Sequence, residues 1–291
     1  MRDAVMHIIL GGTGHVGSAV AGTLLERGEA VTVVSHRAAE RDGWEARGAN
    51  FAVVDVNDTG ALREVLKQGR RLFLLNPPAA PDTDTDAVEK ASLRSILTAI
   101  EGSGLEKIVA ESTYGAQQCD RCGDLGILYD MELALKAQSI AYSVIRAAYY
   151  MSNWDASLES AREHGTVRSF YPTDFRLPMV APRDLGRAGA DLLMQDVDEQ
   201  VLHLVEGPRA YSPADVAVCF ASALGREVAV EVVPRERWVE GFREMGFSEP
   251  GARSYAQMTA LTADRRYEPA NDPIRGEITL REYIDALAGR D

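Results

Sequence analysis

The stretch IILGGTGHVGSAV, residues 8–20, places four glycines within seven positions directly behind an apolar run. Each glycine marks a place where a Cβ would obstruct a turn, a ligand or a neighbouring element, so few folds remain open to such a chain. Val5 to Leu10 reads as a buried strand. From Gly14 the positions Val16, Ala19, Val20, Thr23 and Leu24 recur at helical spacing until Gly28 stops them, and a β-branched run, Ala30 to Ser35, follows at once. Strand, glycine turn, helix and strand make the first unit of a dinucleotide-binding fold. Gly12, Gly14 and Gly17 satisfy G-x-G-x-x-G, and Gly11, Gly14 and Gly17 satisfy G-x-x-G-x-x-G. The pattern predicts that Gly11, Gly12, Thr13, Gly14, His15, Val16 and Gly17 cradle a pyrophosphate at the start of the helix.

Cofactor choice is expected at the end of the second strand, where an acidic residue would take the 2′-hydroxyl of NAD. Ser35, His36 and Arg37 stand there instead. A guanidinium pairs with a 2′-phosphate in two parallel hydrogen bonds, so NADP(H) is the expected cofactor. The alternative is that Arg37 is a solvated loop residue. The strand FAVVDVND ends at Asp55 and Val56, a position for holding the adenine, though Asp55 or Asp58 could equally cap the helix Thr59 to Gln68.

The βα alternation continues with a strand Arg71 to Leu75 that breaks at Asn76-Pro77-Pro78, a helix Asp86 to Glu101 and a strand Lys107 to Ala110. A helix Leu125 to Gln138 and a strand Ile140 to Arg146 complete the series. Repeated units of this length imply an α/β fold with a Rossmann-type, doubly wound parallel sheet, its ligand at the carboxyl ends of the strands. Asn76, Pro77 and Pro78 are then expected to flank the nicotinamide. After Tyr149 the rhythm changes to aromatic and Pro-rich loops. Residues 1–153 are read as the dinucleotide-binding domain with 183–205 returning to its sheet, and 154–182 with 206–291 as a smaller α+β lobe that closes a substrate cleft. No internal repeat or low-complexity tract interrupts this plan.

Composition narrows the partners. The 291 residues carry 44 acidic against 31 basic side chains, a net charge of −13 that disfavours nucleic acid and anionic lipid. No apolar run approaches the ~20 residues of a membrane span, and no basic leader precedes the glycine loop, so a cytoplasmic location is expected. The three cysteines are too few for a secreted disulfide framework. Cys119-x-x-Cys122 is open to three readings: a surface loop, a thiol switch, or half a zinc site whose other half is missing. No metal site is expected, because the five histidines lack ligand spacing and the acidic run Asp82, Asp84, Asp86 has Ala87 and Leu93 where a calcium loop needs Gly and Glu. No G-x-S-x-G elbow is present, which sets a hydrolase aside.

Six segments in order, GGTGHVG, NPP, ESTYGA, YDMELALKAQSIAYSVIRAAYYMSN, APRDLGRAGADLL and GPRAYSPADVA, make the chain resemble the NmrA-like family of atypical short-chain dehydrogenases. The resemblance implies a Rossmann domain with a small C-terminal lobe, NADP(H) at the glycine loop and a cleft between the two. Family members include reductases of quinones and triphenylmethane dyes, relatives that reduce isoflavone-type double bonds, and a fungal regulator that binds the dinucleotide without known turnover.

Short-chain dehydrogenases carry Tyr-x-x-x-Lys, in which the ammonium lowers the phenol pKa for proton exchange with the substrate. The corresponding helix reads Tyr129-Asp130-Met131-Glu132-Leu133, without the Lys. The Lys that isoflavone-type reductases place four residues before the position of Glu132 is here Leu128. Ser112 and Tyr114, beside Thr113 at the end of the fifth strand, together with Tyr129, are the candidate donors to a substrate oxygen; hydroxyls there also cap turns. Tyr149, Tyr150 and Asn153 are candidates to line the cleft or to pack in the core. Two functions fit: an NADPH-dependent reductase of a small conjugated, quinone-like acceptor, and a dinucleotide-binding sensor that regulates a protein partner without turnover.

Overall fold

A computed structural model describes residues 5–197, 201–266 and 271–289. Parts of the expected 183–205 and 206–291 segments, residues 198–200, 267–270, 290 and 291, lie outside the described residues, as do residues 1–4. The first half alternates strictly: β1 (Met6–Ile9), α1 (His15–Glu26), β2 (Ala30–Ser35), α2 (Arg41–Ala46), β3 (Asn50–Val53), α3 (Thr59–Leu66), β4 (Arg71–Leu74), α4 (Thr85–Ile100), β5 (Lys107–Thr113), α5 (Asp124–Ala137) and β6 (Ala141–Ala147). Then come β7 (Tyr149–Tyr150), α6 (Ser157–Glu163), β8 (Thr166–Ser169), β9 (Leu177–Val180), α7 (Pro182–Met194) and β10 (Val201–Glu206). The last segments are β11 (Ala210–Tyr211), α8 (Pro213–Leu224), β12 (Ala229–Val232), α9 (Trp238–Glu244), α10 (Glu249–Ala263), β13 (Ile274–Arg275) and α11 (Leu280–Ala288).

Eight strands form one sheet in the order β13-β10-β6-β5-β4-β1-β2-β3, with every pairing parallel. Read from β3, this is the doubly wound order 3-2-1-4-5-6, extended by β10 and β13. β13 thus joins the main sheet, although the sequence reading assigned its stretch to the smaller lobe. The strands are apolar on both faces because both are covered. Ile9, Val33, Phe73, Val109 and Ile145 meet α1 and α7 on one side, whereas Ile8, Leu10, Leu72, Leu74 and Ile108 meet α3, α4 and α5 on the other. Helices α1 and α7 touch backbone to backbone: a Cβ on Gly186 would stand 2.5 Å from that of Ala19. A third core, built on Met151, Trp154, Tyr171, Tyr211, Phe220 and Ile284, belongs to the segments beyond β6.

Reversal of strand order between β1 and β4 leaves a crevice at their carboxyl ends, where an open parallel sheet binds its ligand. The loops after β1, β4, β5 and β6 surround it.

Candidate functional site

The glycine loop is held from three directions. Leu10 N–H donates to Phe73 carbonyl and Gly12 N–H to Val34 carbonyl, both at 3.1 Å, which continues the sheet one residue into the turn. Gly11 has φ +61°, and Gly14 N–H closes the turn on the Gly11 carbonyl at 2.9 Å. The other glycines answer to different neighbours. A Cβ on Gly12 would lie 2.8 Å from Val33 Cγ1, and one on Gly17 would collide with the Gly11 carbonyl. On Gly14 the same atom would meet only the Gly11 oxygen, at 3.3 Å. Gly12 and Gly17 are therefore required by the protein's own packing, whereas Gly14 faces open space. Gly14 is also the N-cap of α1, whose first turn holds no acidic residue and no side-chain cap. Its first amides and the positive end of its dipole remain available to an anion.

Thr13 and Ser35 join hydroxyls at 3.1 Å, tying the loop to the end of β2, and the Arg37 N–H donates to Ser35 Oγ at 3.3 Å. His36 and Arg37 are exposed, with the Arg37 guanidinium 3.8 Å from Glu40. Asp55 is exposed and accepts from the Asn57 backbone and side-chain nitrogens at 2.9 and 3.0 Å, while Asp58 is the residue that caps α3. Val56 packs half-buried against the α3–α5 side of the sheet.

The loop after β4 rests on Glu89. Asn76 Nδ2 donates to the Glu89 carbonyl at 3.2 Å and the Ala79 N–H to Glu89 Oε1 at 2.9 Å; Pro77 is half-buried and Pro78 exposed. Burial, with Asp124 and Asp86 close by, pushes the Glu89 carboxyl up to about 8. Burial and Asp86 push Asp124 up to about 6. Ser254 on α10 donates to Asp86, so this acidic pocket joins α4 and α5 to the C-terminal segments.

Two of the three candidate proton donors are hydrogen-bonded to carboxylates. Ser112 is fully buried on the α5 side of β5 and donates to Glu132 Oε1 at 2.5 Å; Arg146 clasps the same carboxylate at 2.9 and 2.7 Å. Tyr114 donates to Glu206 Oε1 at 3.0 Å, beside Arg275 on Glu206 Oε2 at 2.9 Å. Tyr129 is half-buried on α5, and Leu133, at the position of the missing Lys, is 48% exposed. Tyr149 and Tyr150 point into different cores. Tyr149 packs edge-on to Tyr171 with its hydroxyl on Asn153, and burial pushes it up to about 12. Tyr150 joins the α1–α7 core and donates to Glu111 Oε1 at 2.8 Å. The expected lining therefore serves first as packing. Asn153 is exposed, and the segment that carries it reaches the glycine loop through His15 and Asp155, 3.8 Å apart.

Sequence reading passed over Glu111, Glu132 and Arg146, the charged groups that fix the ends of β5 and β6. For Glu111 and Arg146 the signal is an ionisable residue inside an otherwise apolar strand, which needs a buried partner; Glu132, on α5, carries no such signal. Glu111 is 3% exposed, and burial pushes it up to about 8 despite the Tyr150 hydrogen bond. Among the described residues no group of three His, Cys, Asp or Glu side chains is placed to hold a metal, and no helix is long and apolar enough to cross a membrane.

The model of the NmrA-like family matches residues 6–286. The chain belongs to the NmrA-like family. Among relatives, the NAD(P)H azoreductase of Xenophilus azovorans is 25% identical over 88% of this chain and 87% of its own. The NADPH complex of the quinone oxidoreductase QOR2 from Escherichia coli superposes with a TM-score of 0.77 at 19% identity, over 97% of this chain and 99% of the other. The NADP(H) complex of the Citrobacter sp. triphenylmethane reductase gives 0.77 at 16% identity, over 98% and 99%. This NmrA-like chain therefore shares its Rossmann-type architecture with those proteins along almost its whole length.

Glu111 supplies a pH test of the site's buried framework. Its folded value, about 8, lies above the ordinary 4.5. The stability it contributes is therefore complete below about 4.5 and is lost as pH rises through about 8. Chemical denaturation should show unfolding free energy falling across this window, with Glu111→Gln removing its share of the decline, at most about 5 kcal/mol. Equal pH slopes in both proteins would contradict the assignment.

Proposed function

We propose that this protein is an NADPH-dependent reductase of a small conjugated acceptor, quinone-like in its electron demand. Gly11 to Gly17 hold the pyrophosphate, Arg37 takes the 2′-phosphate, Asp55 and Val56 flank the adenine, and the Asn76–Pro78 loop borders the nicotinamide. The azoreductase, quinone oxidoreductase and triphenylmethane reductase similarities support a conjugated acceptor and a nicotinamide donor. The low pI near 4.9 supports a setting without nucleic acid.

The observation that carries the reading is the proton-donor position. Leu133 replaces the Lys, and the Ser112 hydroxyl is committed to Glu132 beneath the surface. An alkoxide product needs a positioned acid, which is worth about 10²–10⁴ in rate. A quinone instead takes the hydride as a delocalised phenolate that water protonates. Ser112 then acts through Glu132 as a positioning residue, and Tyr114 and Tyr129 contribute at most one hydrogen bond to the acceptor.

A bound nicotinamide would supply the hydride, and the chain would bind, orient and shield. The α1 amides and Arg37 fix the phosphate end of the dinucleotide. The loops after β4, β5 and β6 exclude water from one face of the acceptor.

Two outcomes check the reading. Arg37→Ala should weaken NADPH by roughly 1.5–3 kcal/mol in calorimetric titrations and leave NADH nearly unchanged; equal losses would remove Arg37 from the site. In steady-state assays NADPH oxidation should proceed with quinones and be slower by about 10²–10⁴ with aliphatic ketones. Efficient ketone reduction would contradict the proposal. Tight NADP(H) binding with no turnover of quinones, dyes or aldehydes would favour the sensor.

A further inference from the structure

Hydride transfer leaves one chemically distinctive feature without a role. Cys119 and Cys122 are joined in a disulfide in the loop between β5 and α5. Cys119 is half-buried, whereas Cys122 is 1% exposed, so Cys119 is the more accessible residue of the pair. Gly126, in the first turn of α5, makes room for the ring. A Cβ there would lie 2.6 Å from the Cys119 carbonyl oxygen and 3.1 Å from Cys122 Sγ. Between and after the cysteines the backbone is left-handed, with φ +52° at Arg121 and +55° at Gly123. For Arg121, which carries a Cβ, this conformation is unfavourable and must be held by its surroundings.

Contacts run from the loop that holds this ring to α4 and to α10. Arg121 donates to Asp84, the N-cap of α4, at 2.6 Å, and Lys90 lies 3.7 Å from Asp120. On the other side Gln257 donates to the Asp120 carbonyl at 3.2 Å, and Gly123 N–H to Ser254 Oγ at 2.8 Å; both partners are on α10. At the start of α10, Ser248 binds the loop after β4 through the Pro81 and Thr83 carbonyls, at 2.9 and 2.5 Å. The loop that carries the ring thus contacts the start of α4 and the helix α10, and α10 in turn is bound at its start to the loop after β4.

We propose that Cys119 and Cys122 form a thiol–disulfide exchange site for small dithiols, and that closing the ring orders the crevice and tightens dinucleotide binding. A dithiol's thiolate attacks Cys119 Sγ and breaks the S–S bond, and Cys122 leaves as a thiolate that takes a proton from water. The second thiol of the reductant then displaces Cys119 from the mixed disulfide, and that thiolate is protonated in turn. The protein gains two electrons and two protons, and the dithiol becomes a cyclic disulfide. Opening the ring frees the backbone from residue 115 to 123, so binding must then order a looser loop.

The ring-opening part stands independently of the cofactor reading, whereas the affinity part rests on it. The test equilibrates the native protein in graded mixtures of reduced and oxidised dithiothreitol, followed by alkylation with mass analysis and by hydrogen exchange. Two labels should appear reversibly in one two-electron step. Reduction should raise exchange in 115–123 and 248–257 but not in β1 to β3. NADPH should bind the oxidised form roughly 5-fold or more tightly. By reciprocity, saturating NADPH should move the midpoint about 20 mV to more negative potential, at 29.6 mV per tenfold. Cys119→Ser should bind NADPH like the reduced protein and ignore the redox buffer. Labelling only after denaturation, or unchanged exchange on reduction, would overturn the site. Altered exchange with equal NADPH affinities would overturn the coupling. Absence of NADPH binding in every state would instead fault the proposed function, leaving exchange to decide the site.

Discussion

The contact of Gly17 with the Gly11 carbonyl governs the rest of the molecule. A Cβ at Gly17 would collide with that oxygen, so α1 lies directly against the loop that precedes it. The approach points the start of α1 at the crevice and lets the opposite face of the helix receive α7. There Gly186 permits a second backbone contact, with Ala19. The sheet is consequently covered at close range where the strand order reverses, and Gly14 is left facing outward with nothing but the Gly11 oxygen near it. Close packing and open space are thus divided among glycines only three residues apart.

A second constraint comes from charges inside the sheet. Glu132 accepts from Ser112 and Arg146, Glu206 accepts from Tyr114 and Arg275, and Glu111 accepts from Tyr150. Removing one partner from such a pair leaves a buried group without compensation, which is costly, so these hydroxyls are poorly free to serve chemistry. Hydroxyls that stand at donor positions in short-chain dehydrogenases here brace the ends of β5 and β6. Under the proposed function, position and shielding would remain for catalysis, which suits an acceptor that stabilises its own negative charge.

Much of this was legible in the residues. Unbroken apolar strands, the glycine spacing and the absence of an acid after Ala30–Ser35 led to the parallel sheet and to the loop, because each reflects local geometry that a short segment must satisfy. The destination of Ser112, Tyr114 and Tyr150 was not legible, since it depends on partners 20 to 92 residues away, as with Ser112 and Glu132 or Tyr114 and Glu206. The place of Ile274 and Arg275 in the main sheet escaped for a similar reason: a two-residue strand has no period to detect.

In the proposed reaction, hydride reaches the acceptor without a proton from the protein. Isotope effects on kcat/KM for quinone reduction test it most directly, using NADPH deuterated at the transferred position in parallel with reactions in D₂O. The account predicts a primary effect from the labelled cofactor and a solvent effect near unity that does not vary with pH. A large, pH-dependent solvent effect multiplying the primary one would place a protein acid in the transition state and contradict it.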